Sequence, residues 1–442
     1  MRSLARLVVG HVMAVLPLLW PAHAGAVQGI DRSLAREYFT EAEALSRADG
    51  GSLWNAPVHG PLLFVDRVTR EVVANMADST GLLREAEGVW VGTWPEGMGV
   101  WNGSVEYGGA IWTMLGWPLP TGRHARRVLL AHEMFHRLQR TQGWPSENPG
   151  NSHLDSEAGR SWLRLEWRAL QAALSRTEDA RRDAIRDALL FRTRRQRQFA
   201  AGAAEERALE LNEGLAEYTG VVLAIEPNAR DGWLVRHLDN HDANAERGSV
   251  VRNFAYASGP AYGVLLDAAM PTWRDSVREQ GDFGEMLARA YDIDLPENVG
   301  ELPEQRAVRY DGMRLFADEA ARNARRLAQL AEFRTRFAAA SSLRLPALER
   351  FSFTFDPNAV VPFDESGTVY LTTTVRDDWG TLTVTAGGAL MVREDGRVTH
   401  VLIPAPSDAA TRPVRGDGWQ LELAEGWEIV ETDRGWTVRS SR

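Results

Sequence analysis

The stretch from Leu129 to Leu138, LLAHEMFHRL, decides how this sequence is interpreted. In an α-helix, residues i and i+4 share one face, so the imidazoles of His132 and His136 can reach the same metal ion. Glu133 lies beside them, where a carboxylate can polarise a metal-bound water. The apolar residues around the motif suit a buried helix, which we predict over residues 123–142. The stretch therefore predicts a metal-binding helix of catalytic type.

A catalytic zinc site needs a third protein ligand and leaves one position for water. No His-x-x-Gly-x-x-His extension follows Glu133, so a third histidine of that kind is absent. Two downstream carboxylates remain as alternatives. Glu213 lies in the segment 211–218, LNEGLAEY, and Glu157 ends the segment 154–157, LDSE.

The HExxH motif and the segment LNEGLAEY together resemble the gluzincin type of zinc metallopeptidase, and in particular the aminopeptidase N family with its Asn-Glu-Gly-Phe-Ala signature. That resemblance implies a zincin-like fold and zinc held by His132, His136 and Glu213. It also implies that Glu217 holds the far nitrogen of the first histidine, as a thermolysin-type Asp does; a solvated helix charge is the alternative for Glu217. The sequence departs from the family at Arg137, a position that is usually uncharged.

The spacing between the two motifs departs further from the family. In the family, the third ligand follows the first motif by roughly 20 residues. Here 76 residues separate His136 from Glu213, whereas 20 separate His136 from Glu157. We favour Glu213 because its surroundings match the signature. The residues from Leu154 to Phe199 are then expected to form an inserted helical hairpin.

Two further stretches are similar to the same family. Tyr256-Ala257-Ser258-Gly259 is similar to its Tyr-Glu-Lys-Gly stretch, which implies that Tyr256 stabilises the oxyanion; a packed core aromatic is the alternative. The stretch from Tyr107 to Trp112 lies where the family has its Gly-x-Met-Glu-Asn edge strand, which can bind an extended substrate. Ile111 occupies the place of the glutamate that binds a free amine. We expected Val105 to Met114 to be one strand-like run.

The composition of the chain limits the classes of function that it can have. The 442 residues carry a formal net charge of −10, which argues against nucleic acid as the main partner. Cysteine is absent, so the chain has no disulfides, thiolate metal sites or cysteine nucleophile. The 44% of hydrophobic residues is ordinary for a globular protein.

Domain organisation follows from changes in pattern along the chain. Residues 1–26 combine a basic start, an apolar run and small-x-small cleavage patterns, which is typical of a signal peptide. Their removal would leave no run of 18 apolar residues, so we expect no later membrane span. We predict a zincin-like metallopeptidase domain at 27–345 and an all-β domain at 346–442. The fold class expected is therefore α+β.

These observations predict an exported zinc peptidase, secreted or periplasmic, that acts on peptides or proteins. Zinc would be held by His132, His136 and Glu213, with Glu133 as general base and Tyr256 as oxyanion donor. The alternative is a non-catalytic binding or scaffold protein of the cell envelope that keeps the zincin fold. Its oligomeric state cannot be read from the sequence.

Overall fold

The computed structural model describes residues 29–338, 342–356, 359–364, 367–394, 396–433 and 435–441. The expected signal peptide, residues 1–26, lies outside this part of the chain. No helix in the described ranges has the length and apolar character needed to cross a membrane. The chain divides into two compact units, one ending at Glu319 and the other beginning at Ala320.

The first unit contains a six-stranded sheet. Its strands are β1 (Leu62–Asp66), β2 (Glu71–Ala74), β3 (Arg84–Ala86), β4 (Val89–Thr93), β5 (Gly103–Tyr107) and β6 (Ala110–Trp117). Their order is β3-β4-β2-β1-β6-β5, with β1 and β6 parallel and every other pair antiparallel. Both faces of the sheet are apolar. On one of them helix α1 (Arg32–Asp49) packs Phe39 flat on Phe64, with ring centroids 4.6 Å apart.

The expected single run from Val105 to Met114 was wrong, because it is a hairpin. Gly108 and Gly109 form its turn with φ values of +54° and +80°, a conformation that glycine adopts without strain. Tyr107 pairs with Ala110 across the turn. Strand β5 is therefore one edge of the sheet, opposite β3, and β6 lies inside it.

Helices make up the rest of the first unit. The longer ones are α2 (Arg123–Thr141), α3 (Glu157–Leu174), α4 (Glu178–Gln198), α5 (Ala200–Leu209), α6 (Leu215–Ala224), α7 (Arg230–Ala245) and α8 (Asn253–Ala269). Shorter helices α9 (Val277–Gln280), α10 (Phe283–Ala290) and α11 (Leu302–Ala307) precede α12 (Gly312–Arg336). A π-helical turn, Glu210–Gly214, joins α5 to α6. Helices α3 and α4 pack against each other as the expected hairpin.

The second unit is the expected C-terminal all-strand region, preceded by the end of α12. Its strands are β7 (Ser342–Pro346), β8 (Ser352–Phe355), β9 (Val360–Asp364), β10 (Gly367–Tyr370), β11 (Thr373–Asp377), β12 (Gly380–Val384), β13 (Ala389–Glu394), β14 (Arg397–Pro404), β15 (Val414–Gly416), β16 (Trp419–Leu423), β17 (Trp427–Thr432) and β18 (Gly435–Ser440). They form two sheets, β17-β18-β7-β14-β13-β10-β9 and β15-β16-β12-β11-β8, whose apolar residues share one core. Together with the first unit, this confirms the α+β class.

The division between the units falls within α12, whereas the sequence placed the change of character at 345/346. Three apolar residues on and just after the last turns of α12 explain the difference. Leu330, Phe333 and Phe337 pack with Val369 and Leu390 of the seven-stranded sheet. Apolar contact of this kind assigns the end of the helix to the strand-rich unit.

Candidate metal centre

Two elements bring the candidate ligands together. His132 and His136 lie on α2, with their Nε2 atoms 3.0 Å apart. Glu213, from the π-helical turn, places Oε2 3.3 Å from Nε2 of His136 and 3.5 Å from Nε2 of His132. All three side chains are buried, and their ligand atoms lie within 4.8 Å of one another. Two imidazoles and one carboxylate are a donor set that a divalent metal such as zinc accepts. This buried group can therefore hold a metal ion.

The opposite ring nitrogens of the two histidines are also bound. Nδ1 of His132 lies 2.8 Å from Oε2 of Glu217, and Nδ1 of His136 lies 2.9 Å from Oε1 of Gln139. Such partners fix the tautomer and the orientation of a metal-binding imidazole. The contact between Glu217 and Nδ1 of His132 favours a role in holding that histidine over a solvated helix charge. Sequence reasoning missed Gln139, although its position three residues after His136 puts it on the same helix face.

Two glycines allow Tyr256 to approach the site. A Cβ at Gly259 would lie 2.3 Å from Cα of Gly214, so the π-helical turn and α8 cross at a distance that only glycine permits. The Tyr256 hydroxyl donates to Oε2 of Glu213 at 2.6 Å. Its ring stacks on His132 with centroids 5.4 Å apart. Burial and the neighbouring Glu213 carboxylate raise the pKa of Tyr256 well above its usual value, so the phenol stays a donor.

Glu133 is buried beside the two histidines. Its Oε2 atom has no hydrogen-bond partner within the described part of the chain. Burial raises the pKa of Glu133 above its usual value, although the nearby imidazoles oppose the shift. A buried carboxylate oxygen without a partner costs free energy, and such costs are concentrated where chemistry requires them.

Other residues singled out from the sequence lie elsewhere. Glu157 is exposed on the first turn of α3 and is not among the three residues that converge.

Arg137 is buried and donates to the carbonyl oxygens of Val58 and His59, both at 3.1 Å. The charge that departs from the zincin pattern therefore anchors α2 to the loop before β1.

His237 and His241 form another pair of histidines four residues apart, on α7. Both are largely covered, and burial lowers both of their pKa values, to about 3 for His241. His237 stacks on Trp233, with centroids 4.6 Å apart, and its Nε2 lies 3.0 Å from the carbonyl oxygen of Tyr256. This half of α7 therefore supports the helix that carries Tyr256.

Comparisons of this chain with protein-family models, with curated proteins and with solved structures gave no match.

Proposed function

We propose that this chain is an exported zinc-dependent peptide hydrolase whose first unit is a zincin-like, gluzincin-type catalytic domain. One observation carries the proposal. A buried pair of histidines and a carboxylate converge on one point, and a second buried carboxylate, Glu133, lies beside them without a partner in the described structure. On α2, His132, Glu133 and His136 have the residue types and the spacing that are typical of water activation by zinc, and Glu213 supplies the third ligand from the π-helical turn.

In this mechanism, the metal ligands and the general base have separate roles. Zinc held by His132, His136 and Glu213 would supply Lewis acidity, which lowers the pKa of a water and polarises a peptide carbonyl. Glu133 takes a proton from the attacking water and passes it to the leaving amine.

Tyr256 contributes a hydrogen-bond donor beside the Lewis acidity that zinc would supply. Its hydroxyl lies at the ligand carboxylate, 2.6 Å from Oε2 of Glu213, and its ring covers His132. From there it donates to the oxygen that becomes negative when the carbonyl is attacked. A hydroxyl that already has a charged acceptor must exchange that bond for one to the substrate, so its net contribution is smaller than that of an unoccupied donor.

The rival interpretation is a binding or scaffold protein of the cell envelope without turnover. Glu133 argues against it, because a site that only binds metal has no use for an unpaired buried carboxylate. The test measures zinc content and cleavage of a mixed peptide library, with and without a chelator. Chelator-sensitive cleavage that Glu133→Gln abolishes supports the hydrolase. Zinc binding with no cleavage of any peptide would favour the scaffold.

A further inference from the structure

Four glutamates between α5 and α6 follow a spacing of four, three and four residues. In a continuous α-helix that spacing would place all four on one face. In the structure they face two directions. The first two bind arginines of α4, and the last two lie at the histidines of α2. In chain order they are Glu206, Glu210, Glu213 and Glu217.

The π-helical turn divides this row of four glutamates, the acidic stripe, into two pairs. The backbone N–H of Leu215 donates to the carbonyl oxygen of Glu210, five residues earlier instead of four. A π-turn contains one residue more than an α-turn, and each helical residue contributes about 100° of rotation. The residues from Glu213 onward, within and after the turn, therefore point away from the face occupied by Glu206 and Glu210. Without the turn, Glu213 would face the arginines of α4 and not the metal centre.

Arg192 holds the residue at which the π-turn begins. Its guanidinium donates twice to Glu210, with Nη1 to Oε1 and Nη2 to Oε2 both at 2.7 Å. The two side chains are 2% and 1% exposed. A paired, planar contact of this kind fixes orientation as well as distance. Glu210 therefore has its side chain fixed by α4 while its carbonyl oxygen accepts the hydrogen bond that defines the turn.

Among the residues that the structure describes, Arg192 is the one cation that lies within 4.0 Å of the Glu210 carboxylate. Asp282 and Glu166 lie 3.6 Å from the same guanidinium, so Arg192 is at the centre of three carboxylates. Removal of Arg192 would leave Glu210 charged and buried among other acids. A buried unpaired carboxylate either takes up a proton or moves toward water. Either response loosens the turn that orients Glu213.

We propose that Arg192 is a positioning residue for Glu213, and that the inserted hairpin orients the third metal ligand through the Arg192–Glu210 pair. The inference rests on the metal site of the proposed function. It gives the inserted hairpin a role in the site, because α4 supplies the guanidinium that fixes the start of the π-turn.

The test compares two double substitutions of equally buried pairs. Arg192→Met with Glu210→Met removes the pair at the π-turn. Arg195→Met with Glu206→Met removes the neighbouring pair, whose two contacts are both 2.8 Å and whose side chains are 0% exposed. Exchange of a buried ion pair for apolar residues is often neutral for stability. Glu166 keeps one arginine in either variant, Arg195 in the first and Arg192 in the second. Asp282 keeps Arg207, at 3.7 Å, in both. Zinc affinity is measured by competition with a chromophoric chelator, and folding is followed by circular dichroism.

We expect the first double variant to fold and to bind zinc at least tenfold more weakly, and the second to stay within about threefold of the unaltered chain. Equal losses in both variants, or no loss in the first, would overturn the inference while leaving the metal site standing. Absence of zinc binding by the unaltered chain would overturn the proposed function, and the inference with it.

A single substitution covers the case in which the first double variant does not fold. Arg192→Lys keeps the charge but cannot make the paired contact. In the cobalt-loaded protein, visible absorption reports the geometry of the ligands. We expect a changed cobalt spectrum and a severalfold lower affinity. An unchanged spectrum with unchanged affinity in a folded Arg192→Lys variant would contradict a positioning role.

Discussion

Nδ1 of His132 lies 2.8 Å from Oε2 of Glu217, and this contact joins the first histidine of α2 to α6. It leaves Nε2 of His132 facing Glu213 and His136. The carboxylate therefore sets which ring nitrogen is available to a metal. Loss of such a partner typically weakens metal binding by about 10–100-fold.

We accordingly predict that Glu217→Ala lowers zinc affinity by about 10–100-fold while leaving one site per chain. Chelator competition measures the change. Glu226→Ala is the matched control, because Glu226 is exposed just after α6 and should leave the affinity unaltered. Equal affinities for Glu217→Ala and the unaltered chain would show that His132 does not need this partner.

The choice of third ligand gives a second prediction. The purified protein should hold about one zinc per chain, as a single three-ligand site implies. Glu213→Ala should reduce occupancy sharply, whereas Glu157→Ala should not, because Glu157 is exposed at the start of α3. Metal content by atomic spectroscopy after dialysis decides between them. The reverse pattern would remove Glu213 from the ligand set.

Catalysis gives a third prediction, through Glu133→Gln. The substitution keeps the side-chain volume and all three candidate ligands but removes the base. We expect zinc content and thermal stability to stay unchanged, and kcat on a susceptible peptide to fall by a factor of about 100 or more. Unaltered turnover in a zinc-loaded Glu133→Gln variant would exclude Glu133 as the base.

Much of this site follows from helical periodicity. His132 and His136 share a face because they are four residues apart, and Glu217 lies one turn after Glu213. The helical hairpin of α3 and α4 was predicted from the same periodicity. Each of these inferences needed only local geometry, which is the information that a sequence pattern carries most directly.

The π-helical turn could not be predicted in this way. A periodicity of 3.6 residues per turn predicts that the four glutamates from 206 to 217 lie on one face of a continuous helix. In the structure, Glu206 and Glu210 instead bind arginines of α4, a tertiary contact that the local pattern does not contain. The hairpin at Gly108 and Gly109 was missed for a different reason. Strand-forming residues continue on both sides of the glycines and were interpreted as one run, although a Gly-Gly pair between two such runs is itself a turn signal.

Tyr256 gives a fourth prediction. Tyr256→Phe removes the hydroxyl that donates to Glu213 but keeps the ring that stacks on His132. We expect a fall in kcat smaller than that of Glu133→Gln on the same peptide, because the hydroxyl must give up its bond to Glu213 before it can donate to the substrate oxygen, which reduces its net contribution. KM should change little. A loss of zinc with no effect on the kcat of the remaining loaded enzyme would instead assign the hydroxyl to metal retention.

The last prediction concerns where a peptide is cut. In the family that the sequence resembles, a glutamate on the edge strand fixes the substrate's free amine. Ile111 takes that place in the sequence, and in the structure it lies on β6, paired with Glu106 of the true edge strand β5. Glu106 is exposed, and its carboxylate lies 3.5 Å from Arg140 of α2. Glu106, the one carboxylate on β5, is therefore solvated and already faces Arg140. An exposed ion pair between Glu106 and a substrate ammonium would add little to the free energy of binding.

The backbone of an edge strand remains available to an extended chain that passes along it. We therefore expect internal cleavage, with kcat/KM for a peptide within about fivefold of that for its N-acetylated form, since a solvated ion pair contributes less than about 1 kcal/mol. Cleavage products are identified by mass spectrometry for both forms, and Glu106→Gln is assayed in parallel. A strong preference for the free amine that Glu106→Gln abolishes would show that Glu106 anchors the N-terminus after all. A preference that survives this substitution would place the anchoring acid elsewhere, and either result would contradict the expectation of an endopeptidase.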